Sequence, residues 1–259
     1  MSDYQFVNAS RDGATLIVEI NRPEKMNALH PPANKELGEI FDGFASDPEL
    51  WVAIITGAGD RAFSAGNDLR YQAEGGEMFP VPSGFGGLTN RYDLNKPVIA
   101  AVNGVAMGGG FEIALACDLI IASDNARFAL PEPRVGLAAL AGGLHRLPRQ
   151  IGLKRAMGMI LTGRHVPAEE GKELGFINEV VPQAELMNEA KKWAGLIAEC
   201  SPMSIRASKE AVMGGLDIAN FQEAFNTRFP AIKAMLSSED FIEGPRAFAE
   251  KRKPNWSGK

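Results

Sequence analysis

The fold is decided by KPVIAAVNGVAMGGGFEIALACDLIIAS, residues 96–123. Its first part, PVIAAV, is a short apolar run of the kind found in buried strands, and Asn103-Gly104 predicts a turn after it. The glycine triplet 108–110 then opens a helix over FEIALAC, and LIIA predicts another strand. One continuous stretch therefore predicts a strand, a turn, a helix and a further strand.

A similar order of strands, turns and helices is predicted for the residues that precede this stretch. Residues 4–10 and 14–20 flank an Asp-Gly pair, which predicts an opening hairpin. From Pro32, apolar residues recur at helical spacing until a Ser-Asp-Pro sequence, and WVAIIT (51–56) then predicts a short buried strand. Strand, turn and helix thus occur twice, which favours an α/β protein of stacked ββα units over a long alternating sheet.

The C-terminal part of the chain is predicted to be helical. ARFAL (126–130) predicts one more strand, and after residue 183 the pattern is helical to about Lys251. We expect this region to pack on the mixed core or on another subunit. It carries aromatic residues that a small core would not cover. These are Phe221, Phe225, Phe229 and Phe241.

Composition limits the class of protein. The chain has 259 residues, 45% of them hydrophobic, which fits one domain with a sizeable core. A net charge of −5 argues against nucleic-acid binding, which needs a basic face. Cys117 and Cys200 are too few for a disulfide framework, and apolar neighbours predict that both are buried, reduced thiols. Without a long apolar stretch or a leader sequence, we expect a cytoplasmic protein that does not enter membranes.

The glycine triplet is also the candidate centre of the chemistry. Glycines ahead of a helix let backbone N–H groups approach a ligand with no Cβ in the way, where the helix dipole favours negative charge. Glu112 follows Gly109 by one turn, so its carboxylate can face the same ligand. A second turn, Ala65-Gly66-Asn67, can donate an opposing N–H. From spacing alone, close backbone packing explains the triplet equally well.

Other motifs point to other classes of enzyme. GAGDRA (57–62) matches a dinucleotide fingerprint, but residues 63–66 interrupt the long helix that such a site requires, so a tight turn is the better interpretation. No two histidines have the i, i+4 spacing of a zinc site, and we predict no metal. Ser64 lacks the usual context of a hydrolase nucleophile, although a triad completed by a distant histidine stays open.

Six segments carry a resemblance to a known family. They are FSAGNDL (63–69), residues 96–123, FALPEPRVGL (128–137), AGGLHRLPRQIG (141–152), LTGRHVPAEEGKELGFINEVV (161–181) and EGPRAFAEKRKP (243–254). Together, and in this order, they resemble the enoyl-CoA hydratase/isomerase (crotonase) family over nearly the whole chain. The resemblance implies a crotonase spiral over residues 1–200 that carries the active site. It also implies a helical oligomerisation region over 201–259, with assembly as a homotrimer or a dimer of trimers.

The resemblance also implies a site. Crotonases bind acyl-CoA thioesters and hold a thioester enolate between two backbone N–H groups, which here belong to Asn67 and Gly109. Family hydratases address one water with two glutamates, here Glu112 and Glu132; without the family, Glu132 is interpreted as a turn acid on the surface. Coenzyme A is part of the substrate, so no cofactor is implied. The implied substrate contacts are Lys25, Ala65, Gly66, Asn67, Asp68, Leu69, Arg70, Gly109 and Lys251.

One segment departs from the family pattern. Hydratases often have Ile-Pro-Gly where this chain has residues 138–140, near the acyl pocket. The GFGGLT loop (84–89) and the C-terminal segment resemble the carnitinyl-CoA dehydratase branch. Phe79, Val81 and Phe85 nevertheless favour an apolar acyl group over a cationic one.

We therefore expect reversible hydration of a 2-enoyl-CoA. A carnitinyl-CoA-type dehydratase or an enoyl-CoA isomerase is the alternative within the family. A noncatalytic acyl-CoA-binding protein is the alternative from another class, and a dinucleotide-dependent reductase comes last.

Overall fold

A computed structural model describes residues 4–259 and contains two β-sheets. The larger sheet has six strands in the order β1-β2-β3-β5-β7-β10. β1 and β2 form the expected antiparallel hairpin, and the other neighbours are parallel. The strands are β1 (Val7–Asp12), β2 (Thr15–Ile20), β3 (Val52–Gly57), β5 (Val98–Val102), β7 (Leu119–Ser123) and β10 (Glu179–Val181).

The smaller sheet has four strands in the order β4-β6-β8-β9. They are β4 (Ala62–Ser64), β6 (Val105–Met107), β8 (Arg127–Ala129) and β9 (Val166–Pro167). β4, β6 and β8 each directly follow a strand of the larger sheet, so every unit places one strand in each sheet. This confirms the predicted ββα repeat. β4 and β6 were not predicted, because strands of three residues are too short to show a periodicity.

Eleven α-helices connect and cover the sheets within the described residues. They are α1 (Pro31–Ser46), α2 (Leu69–Ala73), α3 (Gly109–Ala116), α4 (Gly143–Ile151), α5 (Leu153–Thr162), α6 (Ala168–Leu174), α7 (Leu186–Ala198), α8 (Pro202–Gly215), α9 (Phe221–Asn226), α10 (Pro230–Leu236) and α11 (Glu239–Ala249). The predicted helix after Pro32 begins one residue earlier, because proline suits the first helical position and two prolines occur here in sequence. The helical pattern after residue 183 is confirmed as α7 to α11.

Two apolar clusters hold these elements together. In one, the rings of Phe111, Phe128 and Phe176 meet with centroids 5.1–5.3 Å apart and join α3 to β8. In the other, α7 covers the outer face of β3, β5 and β7. β3 and β5 are buried along their whole length, which explains why their sequences are continuously apolar. The first turn of α3 is therefore held by the packing of Phe111 against Phe128 and Phe176.

The C-terminal helices contact the core through polar side chains. The Nζ of Lys209 on α8 lies 2.8 Å from Asp118 Oδ2 and donates to the carbonyl of Lys96. Phe221 and Phe225 on α9 are 83% and 74% exposed, as the sequence predicts. Phe229 is partly buried instead, because its ring packs beside Gly214 of α8.

The structure also bears on membrane insertion and on the burial of the two cysteines. No helix within residues 4–259 combines the length and the apolarity needed to cross a bilayer. Cys117 is buried as predicted, and burial raises the pKa of its thiol far above the ordinary range. The prediction for Cys200 is wrong: it is exposed, since it lies beyond the end of α7 and past the last buried residue of that helix, Ala194.

Candidate active site

Two glycine turns meet at the centre of the candidate site. Gly66 follows β4 with φ +88°, and a Cβ built on it would lie 2.6 Å from the carbonyl oxygen of Met107. The same Cβ would lie 2.9 Å from the amide nitrogen of Gly109, the first residue of α3. A side chain therefore fits neither the space nor the φ angle of Gly66. The structure thus brings together the two turns that the sequence singled out.

The N–H groups of this pair of turns are available to a ligand. Among the hydrogen bonds of residues 4–259, none has the N–H of Asn67 or Gly109 as its donor. Two hydrogen bonds hold the turn in place. The carbonyl of Gly66 accepts the N–H of Leu29 at 2.8 Å, and the N–H of Gly66 donates to Ser64 Oγ at 3.1 Å. Free N–H groups beside a helix start can stabilise an oxyanion.

Glu112 lies one turn into α3 and is only 3% exposed. Its Oε1 accepts the N–H of Gly143, the first residue of α4, at 2.8 Å. Burial raises the pKa of Glu112 to about 7, and the charge of Glu132 acts in the same direction. The N–H groups of Gly143 and Ala141 and the charge of Arg146 oppose this rise. The carboxyl group is therefore able to exchange a proton near neutral pH.

Glu132 lies beside the glycine triplet. It begins a 3-10 turn, Glu132–Val135, that follows β8. A Cβ built on Gly108 would lie 3.0 Å from Glu132 Oε1, so this carboxyl group borders the triplet directly. Its Oε2 is buried and has no hydrogen-bond partner among the described residues, and burial raises its pKa. The interpretation as a surface turn acid does not fit this environment.

The residues after Gly66 differ in what they can offer a ligand. The carboxylate of Asp68 is already bound, since it lies 3.0 Å from Arg22 Nη2 and accepts the N–H of Tyr71 at 3.1 Å. Burial works to raise the pKa of Asp68, but these partners outweigh it and hold the pKa below its usual range. Asp68 therefore supports the turn from within, while Leu69 and Arg70 beside it are exposed.

The two predicted lysine contacts are placed differently. Lys25 is exposed at the end of a 3-10 turn, and its charge contributes to lowering the pKa of Asp68, which places it near the glycine turn. Lys251 is exposed just beyond the end of α11 with φ +55°. None of the hydrogen bonds within residues 4–259 joins Lys251 to the glycine turns. The predicted role of Lys251 therefore stays a prediction that needs a second subunit.

Two side chains at the site have structural roles that the sequence did not reveal. A Cβ on Gly109 would overlap the ring of Phe85, so this glycine packs closely against a side chain, and its oxyanion role stays a prediction. A larger residue at Gly109 would therefore collide with the ring of Phe85. Arg146 donates from Nη2 to the carbonyl of Thr89 at 2.9 Å, across 57 residues of chain. The sequence shows Arg146 within the AGGLHRLPRQIG segment, but it does not indicate Thr89 as the partner.

The fold and the site together define an α/β protein with two carboxyl groups beside a pair of glycine turns, where the N–H groups of Asn67 and Gly109 have no acceptor among the described residues. A family model described as enoyl-CoA hydratase/isomerase matches residues 11–259. Carnitinyl-CoA dehydratase of Escherichia coli K12 is 46% identical over 98% of both chains. The Citrobacter koseri protein of that name is also 46% identical, over 96% of this chain and 97% of the relative. The chain belongs to the enoyl-CoA hydratase/isomerase family.

Solved structures agree with this membership. Enoyl-CoA hydratase of Mycobacterium tuberculosis H37Rv superposes with a TM-score of 0.92 and 37% identity, covering 98% of this chain and 99% of that one. Carnitinyl-CoA hydratase of Mycobacterium avium gives a TM-score of 0.78 and 38% identity over the same shares of the two chains. The expected crotonase fold, the similarity to the carnitinyl-CoA dehydratase branch and the hydro-lyase class of enzyme are confirmed.

Proposed function

We propose that the protein catalyses the reversible hydration of a 2-enoyl-CoA to a 3-hydroxyacyl-CoA. The observation that carries this proposal is a pair of carboxyl groups at the glycine triplet: Glu112, which is buried in α3, and Glu132, which is partly buried and borders Gly108. An enoyl-CoA isomerase needs one base, whereas addition of water needs one group for the water and one for the carbon. Two carboxyl groups therefore favour a hydro-lyase.

The proposed reaction has two bond-forming steps. Glu112 takes a proton from water while the water oxygen bonds to C3, and the electron pair of the C2–C3 double bond moves to the thioester oxygen. The N–H groups of Asn67 and Gly109 stabilise the resulting enolate. The enolate then collapses and C2 takes a proton from Glu132. Dehydration runs through the same steps in reverse.

The environments of the two carboxyl groups support this division of roles. Two such groups around one water cannot both ionise cheaply, so one holds a proton. Glu112 accepts N–H donors, which favour its ionised form, and Glu132 has a buried oxygen without a partner, which suits a protonated group. The pair titrates as a unit, so the measured pKa values belong to both residues.

The nucleotide part of the substrate is assigned to the basic side chains around the glycine turn. We place the phosphates near Lys25, Arg70 and, from a neighbouring subunit, Lys251. The thioester arm would run along residues 65–69. Since carboxyl groups and backbone amides supply every step, the proposed reaction uses no cofactor beyond the coenzyme A of its substrate.

A carnitinyl-CoA-type dehydration is the second candidate, and the relatives at 45–46% identity favour it. The structure supports an apolar acyl group more strongly. The segment after Glu132 exposes three apolar side chains: Val135, Leu137 and Leu140, at 58%, 51% and 83%. An exposed apolar surface beside a catalytic carboxyl group suits an aliphatic acyl chain better than a quaternary ammonium group.

A panel of thioesters tests the proposal. Straight-chain enoyl-CoAs of increasing length and one trimethylammonium-bearing enoyl-CoA would be compared by loss of enoyl absorbance. We expect turnover with the aliphatic substrates and a lower kcat/KM with the cationic one. A preference for the cationic substrate would establish the second candidate. Tight binding without turnover of any substrate would make the protein a noncatalytic acyl-CoA-binding member.

We also propose that the chain forms a homotrimer, or a dimer of trimers, through residues 201–259, and that it acts in the cytoplasm. The exposed rings of Phe221 and Phe225 support assembly, because monomers rarely leave large aromatic side chains together in water. An acyl-CoA substrate and the absence of a cysteine framework are consistent with a reducing compartment.

A further inference from the structure

Arg146 connects two loops of the candidate site, one that contacts Gly109 and one that contacts Glu112. It occupies the first turn of α4 and is half-buried. Its Nη2 donates to the carbonyl of Thr89 at 2.9 Å, and its Nη1 donates to the carbonyl of Ala141 at 3.4 Å. A Cβ on Gly142, which has φ +104°, would overlap the guanidinium, so the group lies flat against this turn.

In the first loop, Thr89 fixes the position of Phe85. The hydroxyl of Thr89 accepts the N–H of Phe85 at 2.8 Å, and Thr89 itself is buried. The ring of Phe85 lies against Gly109, at the start of α3. The next residue of the loop, Gly86, donates its N–H to Asn34 Oδ1 at 2.7 Å. Phe85 therefore forms a wall over the glycine turn, and Arg146 holds the far end of its loop.

In the second loop, Ala141 begins the turn that holds Glu112. The N–H of Gly143 donates to the Glu112 carboxyl group at 2.8 Å, and the N–H of Ala141 also acts to lower the pKa of this group. A shift of this turn would therefore change the donors on Glu112. Because one planar guanidinium donates to both loops, their separation is set by a rigid fork of fixed size.

We infer that Arg146 is a positioning residue that holds the Phe85 loop and the turn of residues 141–143 in register. Through this contact it sets both the acyl-facing wall and the donors on Glu112. The inference rests on the proposed function, since it assigns the wall to the acyl group and Glu112 to proton transfer.

The charge of Arg146 has a separate effect. The charged groups that act on Glu112 are Glu132 from the 3-10 turn and Arg146 from α4. Glu132 raises the pKa of Glu112 and Arg146 lowers it. Without the positive charge of Arg146, burial and the charge of Glu132 would raise the pKa of Glu112 further. Lysine at this position would keep the charge but could not reach both carbonyls as a fork.

Three variants test the inference: Arg146→Met, Arg146→Lys and the control Arg149→Met. Arg149 lies on the same helix, is exposed, and donates to the carbonyl of His145. Each variant would be assayed for kcat and KM on a short and a long enoyl-CoA and for the pH dependence of kcat/KM, after circular dichroism has confirmed the fold.

We expect Arg146→Met to lower kcat/KM by about 10- to 100-fold, the range for losing a charge-assisted hydrogen bond. We also expect the acid limb of its pH profile for kcat/KM to move to higher pH. Arg146→Lys should keep the parental acid limb but lose the parental ratio of kcat/KM between short and long substrates. Arg149→Met should match the parent in both measurements.

The inference is overturned if Arg146→Met and Arg146→Lys both keep the parental acid limb and the parental substrate ratio. If Arg146→Met does not fold, the substrate ratio of Arg146→Lys decides. If the parent turns over no enoyl-CoA, the proposed function has failed separately. The wall is then tested by dissociation constants of short and long saturated acyl-CoAs, whose ratio should change in Arg146→Lys but not in Arg149→Met.

Discussion

Gly66 and Gly109 are in direct contact: a Cβ on Gly66 would lie 2.9 Å from the amide nitrogen of Gly109. The two residues belong to different ββα units, so the contact exists only because the repeat stacks one unit on the next. The carbonyl of Met107 closes the same space at 2.6 Å. The pair of turns is therefore a rigid element, formed by backbone atoms alone.

Because of this contact, we expect Gly66→Ala to lower the free energy of unfolding through both backbone conformation and steric overlap. A matched control variant separates the two contributions. Gly75→Ala changes a glycine with a similar φ, +81°, and with no atom within 4 Å of the new Cβ. It should lower the free energy of unfolding by roughly 1–2 kcal/mol, the conformational cost alone. Gly66→Ala should cost a further ~1–3 kcal/mol, because backbone must shift. Urea denaturation measures both, and equal costs would show that the two turns separate freely.

Replacement of either carboxyl group tests the acid–base pair. We expect Glu112→Gln and Glu132→Gln each to lower kcat by roughly two to four orders of magnitude, because each would remove a positioned proton-transfer group. Circular dichroism should show an intact fold. Glu173→Gln on the exposed face of α6 is the control and should match the parent. Near-parental kcat in either site variant would make a one-base isomerase the better assignment.

The pH dependence of kcat/KM follows from the raised pKa of Glu112. Burial raises this pKa to about 7 from an ordinary value of 4.5, and the group must be ionised to take a proton from water. Activity should therefore be low below pH 6 and rise through about pH 7. Loss of the proton on Glu132 should produce an alkaline limb. An acid limb near pH 4.5, the ordinary value for a glutamate, would contradict the raised pKa of this site.

Light scattering tests the proposed assembly. We expect a mass three or six times that of one chain, and we expect Phe221→Ser with Phe225→Ser to shift it toward the monomer, because the two rings form an exposed aromatic pair. Tyr92→Ser is the control, since Tyr92 is 82% exposed on the loop before β5. A parent protein that scatters as a monomer would contradict the proposal.

The sequence predicts the repeat more fully than it predicts the contacts of the site. Long buried strands such as Val98–Val102 show a continuous apolar run, and Pro31–Ser46 shows a helical period, so both were predictable. β4 and β6 were not, because three residues carry no period. Glycine turns mark backbone geometry, which is why residues around Gly66 and Gly109 could be found from the sequence.

The remaining parts of the site depend on tertiary contacts. The bond from Arg146 to Thr89 spans 57 residues, and no local pattern indicates it. Phe85 was expected to face an acyl group, but its packing on Gly109 requires the position of α3. The substrate contact of Asp68 stays a prediction, and the sequence does not indicate that its carboxylate binds Arg22, 46 residues away, as well as the N–H of Tyr71.

The central claim is that the N–H of Gly109 stabilises the enolate, and a single comparison tests it. Gly109 is the first residue of α3, a position that tolerates proline, so Gly109→Pro removes this N–H with little harm to the helix. Phe85→Ala provides space for the new side chain, and Gly109→Ala in the same background is the matched control that keeps the N–H.

The decisive measurement is kcat for Phe85→Ala/Gly109→Pro relative to Phe85→Ala/Gly109→Ala, with both variants shown to be folded. Loss of one oxyanion donor costs about a hundred- to a thousandfold in turnover. We predict a ratio in that range, since the two proteins differ in the N–H and the proline ring alone. Equal kcat values would contradict the account and leave Gly109 as a residue needed only for its packing against Phe85.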